Sequence, residues 1–167
     1  VEGSNNPLPS LPASPITSVD QQVAGYIMEE LVDGSCIQLG IGSMPSAVGE
    51  MIAGSDLKDL GCHTEMLCDS HLKMFQAGKM NGRLKTTDPG RMAYTFALGS
   101  QELYNFIDDN PICASYPVDY INRPSLAALN DNLVTVNNAI EVDLYGQVCS
   151  ESIGTRHISG TGGQLDF

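Results

Sequence analysis

Apolar residues recur at Val23, Ile27 and Leu31, four positions apart, in a stretch that opens on Ser18-Val19-Asp20-Gln21 and runs to Gly34. That spacing predicts an amphipathic helix with a capping box from Ser18 to Gln21 and a glycine stop at Gly34. "CIQLGIG" (36–42) is a short unbroken apolar run ending in glycines and reads as a buried strand. Pro45 suits the first turn of a second helix, reaching about Ala53. "GCHTEML" and "MAYTFALG" (92–99) read as further strands, and Ser100 caps a helix through about Asp108 that Asn110-Pro111 closes. Residues 133–149 predict two strands around a turn at Tyr145-Gly146, and "SGTGGQLDF" (159–167) a glycine loop. Strands alternating with helices predict an α/β domain, an open, largely parallel sheet flanked by helices.

Ahead of this pattern, residues 3–17 carry four prolines among Ser and Asn without periodicity. We read residues 1–17 as an extended linker from a missing N-terminal domain and 18–167 as the folded unit. The chain starts without Met and stops on apolar residues, so both ends are expected to be cuts in a longer polypeptide.

Composition narrows the function. The 167 residues are 42% hydrophobic with no Trp, enough for one core built from aliphatic side chains and Met. Twenty acidic against eight basic residues give −12, a field that repels phosphate backbones and argues against a nucleic-acid partner. No run of 18 apolar residues exists, so no membrane span is expected. Five cysteines, an odd number without framework spacing, point to reduced thiols and a cytoplasmic setting.

Three segments can carry chemistry. "LGIGSMP" (39–45) is a glycine turn between a strand and a helix. It is either a tight connection and nothing more, or a set of free amides for an anion or developing oxyanion. Pro45 stands where a dinucleotide fingerprint needs its third glycine, so that reading fits poorly. In "SGTGGQLDF", glycines at 160, 162 and 163 form a flexible turn or let the backbone approach a ligand closely. Glu65 is the third, a carboxylate in an otherwise strand-like run. It is either a salt-bridged structural residue or a nucleophile, since a carboxylate is already ionised at neutral pH and can attack a carbonyl unaided. Cys62, His63, Cys68 and His71 surround it, but Cys-x5-Cys-x2-His matches no usual zinc spacing, and no metal site is expected. Adjacent strand positions diverge, so Cys62 and His63 do not make a nucleophile and base. His157 reads as a hydrogen-bonding loop residue, and the Met residues at 44, 51, 66, 74, 80 and 92 as core or pocket lining.

Taken together, "QLGIGSMPSAV", "HTEMLCD", "FALGSQELYNFIDDNP", "PVDYINRP", "VDLYGQVCSESIGTR" and "SGTGGQLDF" resemble the acetyl-CoA hydrolase/transferase family from about Ser18 to Phe167. The resemblance is nearest to its butyryl-CoA:acetate and 4-hydroxybutyrate CoA-transferases. It implies a two-domain α/β fold, of which this chain would be most of the second domain, and a homo-oligomer. It also implies that Glu65 is a covalent nucleophile forming a glutamyl-CoA thioester. Gly40, Gly42 and the amide near Met44, with Gly162, Gly163 and Gln164, would then form the oxyanion and CoA site. Acyl-CoA and a carboxylic acid would be the substrates, coenzyme A a substrate and no cofactor permanently bound, with little turnover expected from this stretch alone. Hydrolysis of acyl-CoA at the same site, or a non-catalytic CoA- or nucleotide-binding module, are the alternatives. One departure stands out: Cys68-Asp69-Ser70 occupies the place of the family's usual Ser/Thr-Asp-Gly.

Overall fold

A computed structural model describes residues 6–12 and 14–167. Of the segment read as a linker, residues 1–5 and 13 lie outside the described residues.

The elements follow the alternation. Helix α1 (Ser18–Glu29) leads to β1 (Cys36–Leu39), α2 (Ser43–Gly54), β2 (Gly61–Leu67), α3 (Asp69–Gln76), β3 (Met92–Ala97), α4 (Gln101–Ile107) and β4 (Cys113–Ser115). Short helices α5 (Val118–Ile121) and α6 (Pro124–Ala127) then carry the chain back to β5 (Leu133–Val136). These five strands form one fully parallel sheet in the order β4-β3-β2-β1-β5. The chain steps outward from β1 to β4 and returns to the far side of β1. Right-handed crossovers therefore put α2–α4 on one face and α5–α6 on the other. The loop leaving β5 meets the turn leaving β1, Asn138 Nδ2 donating to Ile41 O at 3.5 Å. Beyond β5 lie two short antiparallel ribbons, β6 (Glu141–Val142) with β7 (Val148–Cys149) and β8 (Ser152–Ile153) with β9 (Arg156–His157).

Four sequence expectations shift. The capping box of α1 sits one residue earlier: Thr17 Oγ1 accepts from the Asp20 amide, and the Asp20 carboxylate accepts from Thr17 N at 2.8 Å. Asp20 there also places negative charge at the positive end of the helix. The helix ends at Glu30, whose amide reaches the Ile27 carbonyl while Leu31 N reaches that of Met28, and Gly34 (φ +80°) serves the next turn into β1. Residues 133–149 hold three strands rather than two. The hairpin around Tyr145-Gly146 is present, but Asn137 and Asn138 break the run and send β5 into the main sheet. Helices α3, α5 and α6 and strands β4, β8 and β9 are additions.

The core is aliphatic with Met, centred on Ile37, Leu39, Ile52, Leu60, Leu67, Met74 and Leu103, all essentially inaccessible. Ahead of α1 the chain is tied down at two points, Leu11 N donating to Gly99 O at 3.1 Å and Tyr104 Oη to Pro9 O at 2.8 Å. Among the described residues no helix is long and apolar enough to cross a membrane.

Candidate active site

Glu65 is the fifth residue of β2, half-buried near the C-terminal end of the sheet. Side chains two apart on a strand share a face, so Glu65 lies with His63 on the side that α5 covers. Its Oε2 accepts a hydrogen bond from Asn122 Nδ2 at 3.0 Å. The same nitrogen donates to Asp166 Oδ2 at 3.1 Å, so one amide bridges two carboxylates. Both partners can only accept when ionised, which fixes the amide with its nitrogen toward them. Asn122 Oδ1, on the other side, is buried without a partner among the described residues.

Gly163 presses directly on this pair. A Cβ built there would overlap Glu65 Oε2 and come within 2.7 Å of Asn122 Nδ2. Its φ is not in the left-handed region, so space rather than backbone conformation demands glycine. Gly162 (φ +54°) supplies the turn, and Gln164 is half-buried one residue on. The loop is fastened beyond: Thr135 Oγ1 donates to Phe167 O at 3.0 Å, and the Phe167 ring meets His63 edge-on at 6.2 Å. His63 Nε2 lies 2.8 Å from Ile121 O, which makes it the protonated nitrogen of a neutral ring. Burial pushes its pKa down, so His63 is a packing and hydrogen-bonding residue beneath the loop.

The salt-bridged reading of Glu65 finds no partner. Ion pairs among the described residues join Lys58 to Asp33, Lys73 to Glu50 and Arg83 to Asp59. None includes Glu65.

The glycine turn after β1 stands in a different position. Carrying the Cys36–Gly61 register forward sets Gly40 level with Glu65 on the neighbouring strand. Gly40 N continues the ladder to Val136 O at 3.2 Å, and Gly42 (φ +123°) is the N-cap of α2 without a side-chain cap. The first-turn amides of α2 have no intrahelical acceptors. Gly40 and Gly42 also line a cavity of about 570 Å³, with Cys68, Asp69, Gly99 and the Leu11–Pro12 segment among its walls. Glu65 does not line it. The Met44 side chain packs against the core, leaving only its backbone near the turn. Thus the fold brings Gly163 into contact with Glu65 and sets Gly40 beside it, while Gly42 and Met44 lie around the turn on the α2 side.

The other candidate chemistry resolves into structure. Cys68 is the N-cap of α3, its N–H donating to His71 Nδ1 at 3.2 Å, and burial raises its thiol pKa. His157 is exposed on β9. Among the described residues no three His, Cys, Asp or Glu converge as metal ligands. Ser70, where glycine was expected, has no positive φ, and its hydroxyl donates to Pro45 O at 3.3 Å. It fits because position 49 is glycine: a Cβ there would stand 2.6 Å from Ser70 Cβ.

Asn122 and Asp166 had no role in the sequence reading. Both lie within runs that carried the resemblance, "PVDYINRP" and "SGTGGQLDF", and that is the only signal a single sequence offered for them.

The chain is similar to known proteins over its whole length. Residues 99–167 match the family model described as acetyl-CoA hydrolase/transferase C-terminal domain. The chain is 56% identical over its whole length to a probable butyrate:acetyl-CoA coenzyme A-transferase of Syntrophomonas wolfei subsp. wolfei, covering 37% of that protein. It is 49% identical, again over its whole length, to a butyryl-CoA:acetate CoA-transferase of Anaerostipes caccae, covering 38% of it. The crystal structure of RipA from Yersinia pestis superposes with a TM-score of 0.87 at 35% identity, over 98% of this chain and 35% of that one. The chain therefore spans little more than a third of the length of these relatives.

Proposed function

The chain belongs to the acetyl-CoA hydrolase/transferase family, and from that premise we propose that Glu65 is the nucleophile of a coenzyme A transfer. The exchange runs between a short-chain acyl-CoA, such as butyryl-CoA or 4-hydroxybutyryl-CoA, and a carboxylic acid such as acetate. One observation carries the reading. Glu65 is a half-buried carboxylate with no ion-pair partner among the described residues, faced by bare backbone at Gly163 and steadied by a single neutral amide. A structural carboxylate would be neutralised by a cation or saturated with donors. This one keeps lone pairs for chemistry.

A carboxylate oxygen of Glu65 attacks the thioester carbonyl, the C–S bond breaks, and its electron pair leaves on the CoA sulfur. The thiolate then attacks the glutamyl carbonyl of the anhydride, expelling the donor carboxylate and leaving a glutamyl-CoA thioester. An acceptor acid reverses both steps. Each tetrahedral oxyanion needs donors, and the Gly163 backbone and the first-turn amides of α2 near Met44 are the groups we assign to them. Loss of one such donor typically raises the barrier by roughly 3–4 kcal/mol. A neutral amide holds the Glu65 oxygen without the lasting charge of a bound cation, which would blunt the nucleophile. The remaining substrate contacts belong, in this reading, to an N-terminal domain of the same polypeptide.

The test is direct. In the full-length protein, Glu65→Ala should abolish exchange with the fold intact, and Glu65→Asp should be nearly as damaging, because retreat by one methylene misplaces the oxygen. Mass spectrometry after incubation with acyl-CoA and borohydride should find a reduced or CoA-modified peptide spanning Glu65. Exchange retained in the Ala variant removes Glu65 from the mechanism. Acyl-CoA loss measured with and without an acceptor acid separates transfer from hydrolysis.

A further inference from the structure

We infer that Asp166 is a positioning residue, holding the Asn122 amide in place during the interval when Glu65 is no longer a carboxylate. The inference rests on Glu65 being the nucleophile.

The geometry is specific. Asn122 Nδ2 has two hydrogens and two acceptors, Glu65 Oε2 at 3.0 Å and Asp166 Oδ2 at 3.1 Å. Its Oδ1 is buried without a partner among the described residues, so no described group at the other end of the amide sets its orientation. Asp166 is anchored without help from Glu65. Its N–H donates to Gly163 O at 3.0 Å, as does Phe167 N at 3.3 Å, and Phe167 O is fastened to β5 through Thr135. Asn122 closes α5, its N–H reaching Val118 O at 2.8 Å, so its backbone is fixed while its side-chain torsion is not.

Reaction changes one of the two acceptors. When a Glu65 oxygen bonds to an acyl carbon, the thioester C–S bond breaks and the negative charge departs with sulfur. The glutamyl group is then a neutral anhydride, and later a neutral thioester. Hydrogen bonds to ionised acceptors are roughly twice as strong as those to neutral ones. An Asn122 held by Glu65 alone would lose its strong partner at that moment and be free to turn its unpaired oxygen inward. Asp166 keeps one hydrogen of the amide engaged throughout, so the other stays aimed at the glutamyl oxygen for the return of the carboxylate.

Two substitutions in the full-length protein separate this role from others. Asp166→Ala removes the acceptor and should lower kcat on the order of 10- to 100-fold while the KM for acyl-CoA changes by less than about threefold. Asp166→Asn keeps a side-chain oxygen that can accept from Asn122 and should restore kcat to within about fivefold of the parent. A second readout is independent of turnover: the side-chain ¹⁵N–H pair of Asn122 should shift in Asp166→Ala and stay near its parent position in Asp166→Asn. An unchanged Asn122 pair and unchanged kcat in Asp166→Ala overturn the inference, as does an Asp166→Asn variant as impaired as the Ala variant. Should Glu65→Ala stay active while the Asn122 pair still responds to Asp166→Ala, the nucleophile reading fails and the anchoring contact stands.

Discussion

Two carboxylates stand at the same end of the sheet, each with a glycine packed against it, yet their surroundings differ in kind. A Cβ at Gly99 would stand 2.6 Å from Asp69 Oδ2, just as one at Gly163 would overlap Glu65 Oε2. Asp69 takes two donors from one residue: Ser100 Oγ donates to it at 2.6 Å and Ser100 N at 3.0 Å, which joins the start of α3 to the cap of α4. Glu65 receives one side-chain amide, and that amide is shared with Asp166. Both donors to Asp69 tie two helices together, whereas Glu65 has a single donor that it shares. A glycine beside a carboxylate therefore does not mark a reactive group; the proposal for Glu65 rests on the count and kind of its donors.

Substitutions can test that contrast, and the largest effect is expected at Gly163. Gly163→Ala would push the Glu65 carboxylate and the Asn122 amide from their positions. A misplacement near 1 Å should cut exchange on the order of 100-fold, measured as kcat in the full-length protein, with a melting temperature close to the parent's. Asp69→Ala should do the reverse. It leaves Ser100 without its acceptor and should lower unfolding free energy by about 1–3 kcal/mol in denaturant titrations, while kcat changes only a few-fold. If Asp69→Ala stops turnover in a folded protein, the division between the two carboxylates is wrong. The smallest effect is expected at Gly40, where a Cβ meets nothing closer than Val136 O at 3.9 Å. Gly40→Ala should stay within about 0.5 kcal/mol of the parent in stability, as surface-like changes do. A large loss of activity there would show that the turn after β1 needs bare backbone for a ligand.

The local parts of this picture were legible in the sequence because local physics sets them. Strand β2 has the bounds read from its apolar run, and Ser100 caps α4 through an Oγ that accepts from Leu103 N. Helix α3 escaped notice because it is eight residues long and buries Ser70 and His71, which break the apolar period. Strand β4 is three residues, below the length at which alternation can be seen. The return of β5 to the far side of β1 is a pairing between distant residues, with Gln38 bonded to Asn137 and to the Val136 amide, and no run of neighbours encodes it. The site divides likewise. Glu65 and Gly163 carry chemical signatures in their own segments, whereas Asn122 and Asp166 gain meaning only when folding brings the two segments together around Glu65.

Gly49 and Ser70 face each other across α2 and α3 with room for a single β-substituent between them. Evolutionary change at this seam is consequently ordered. Trimming Ser70 to glycine opens the space and leaves position 49 free to gain a methyl afterwards, but the opposite sequence of events forces a collision between two helices at the first step. Descendants of this chain can leave the present pairing by one door only, and it opens from α3.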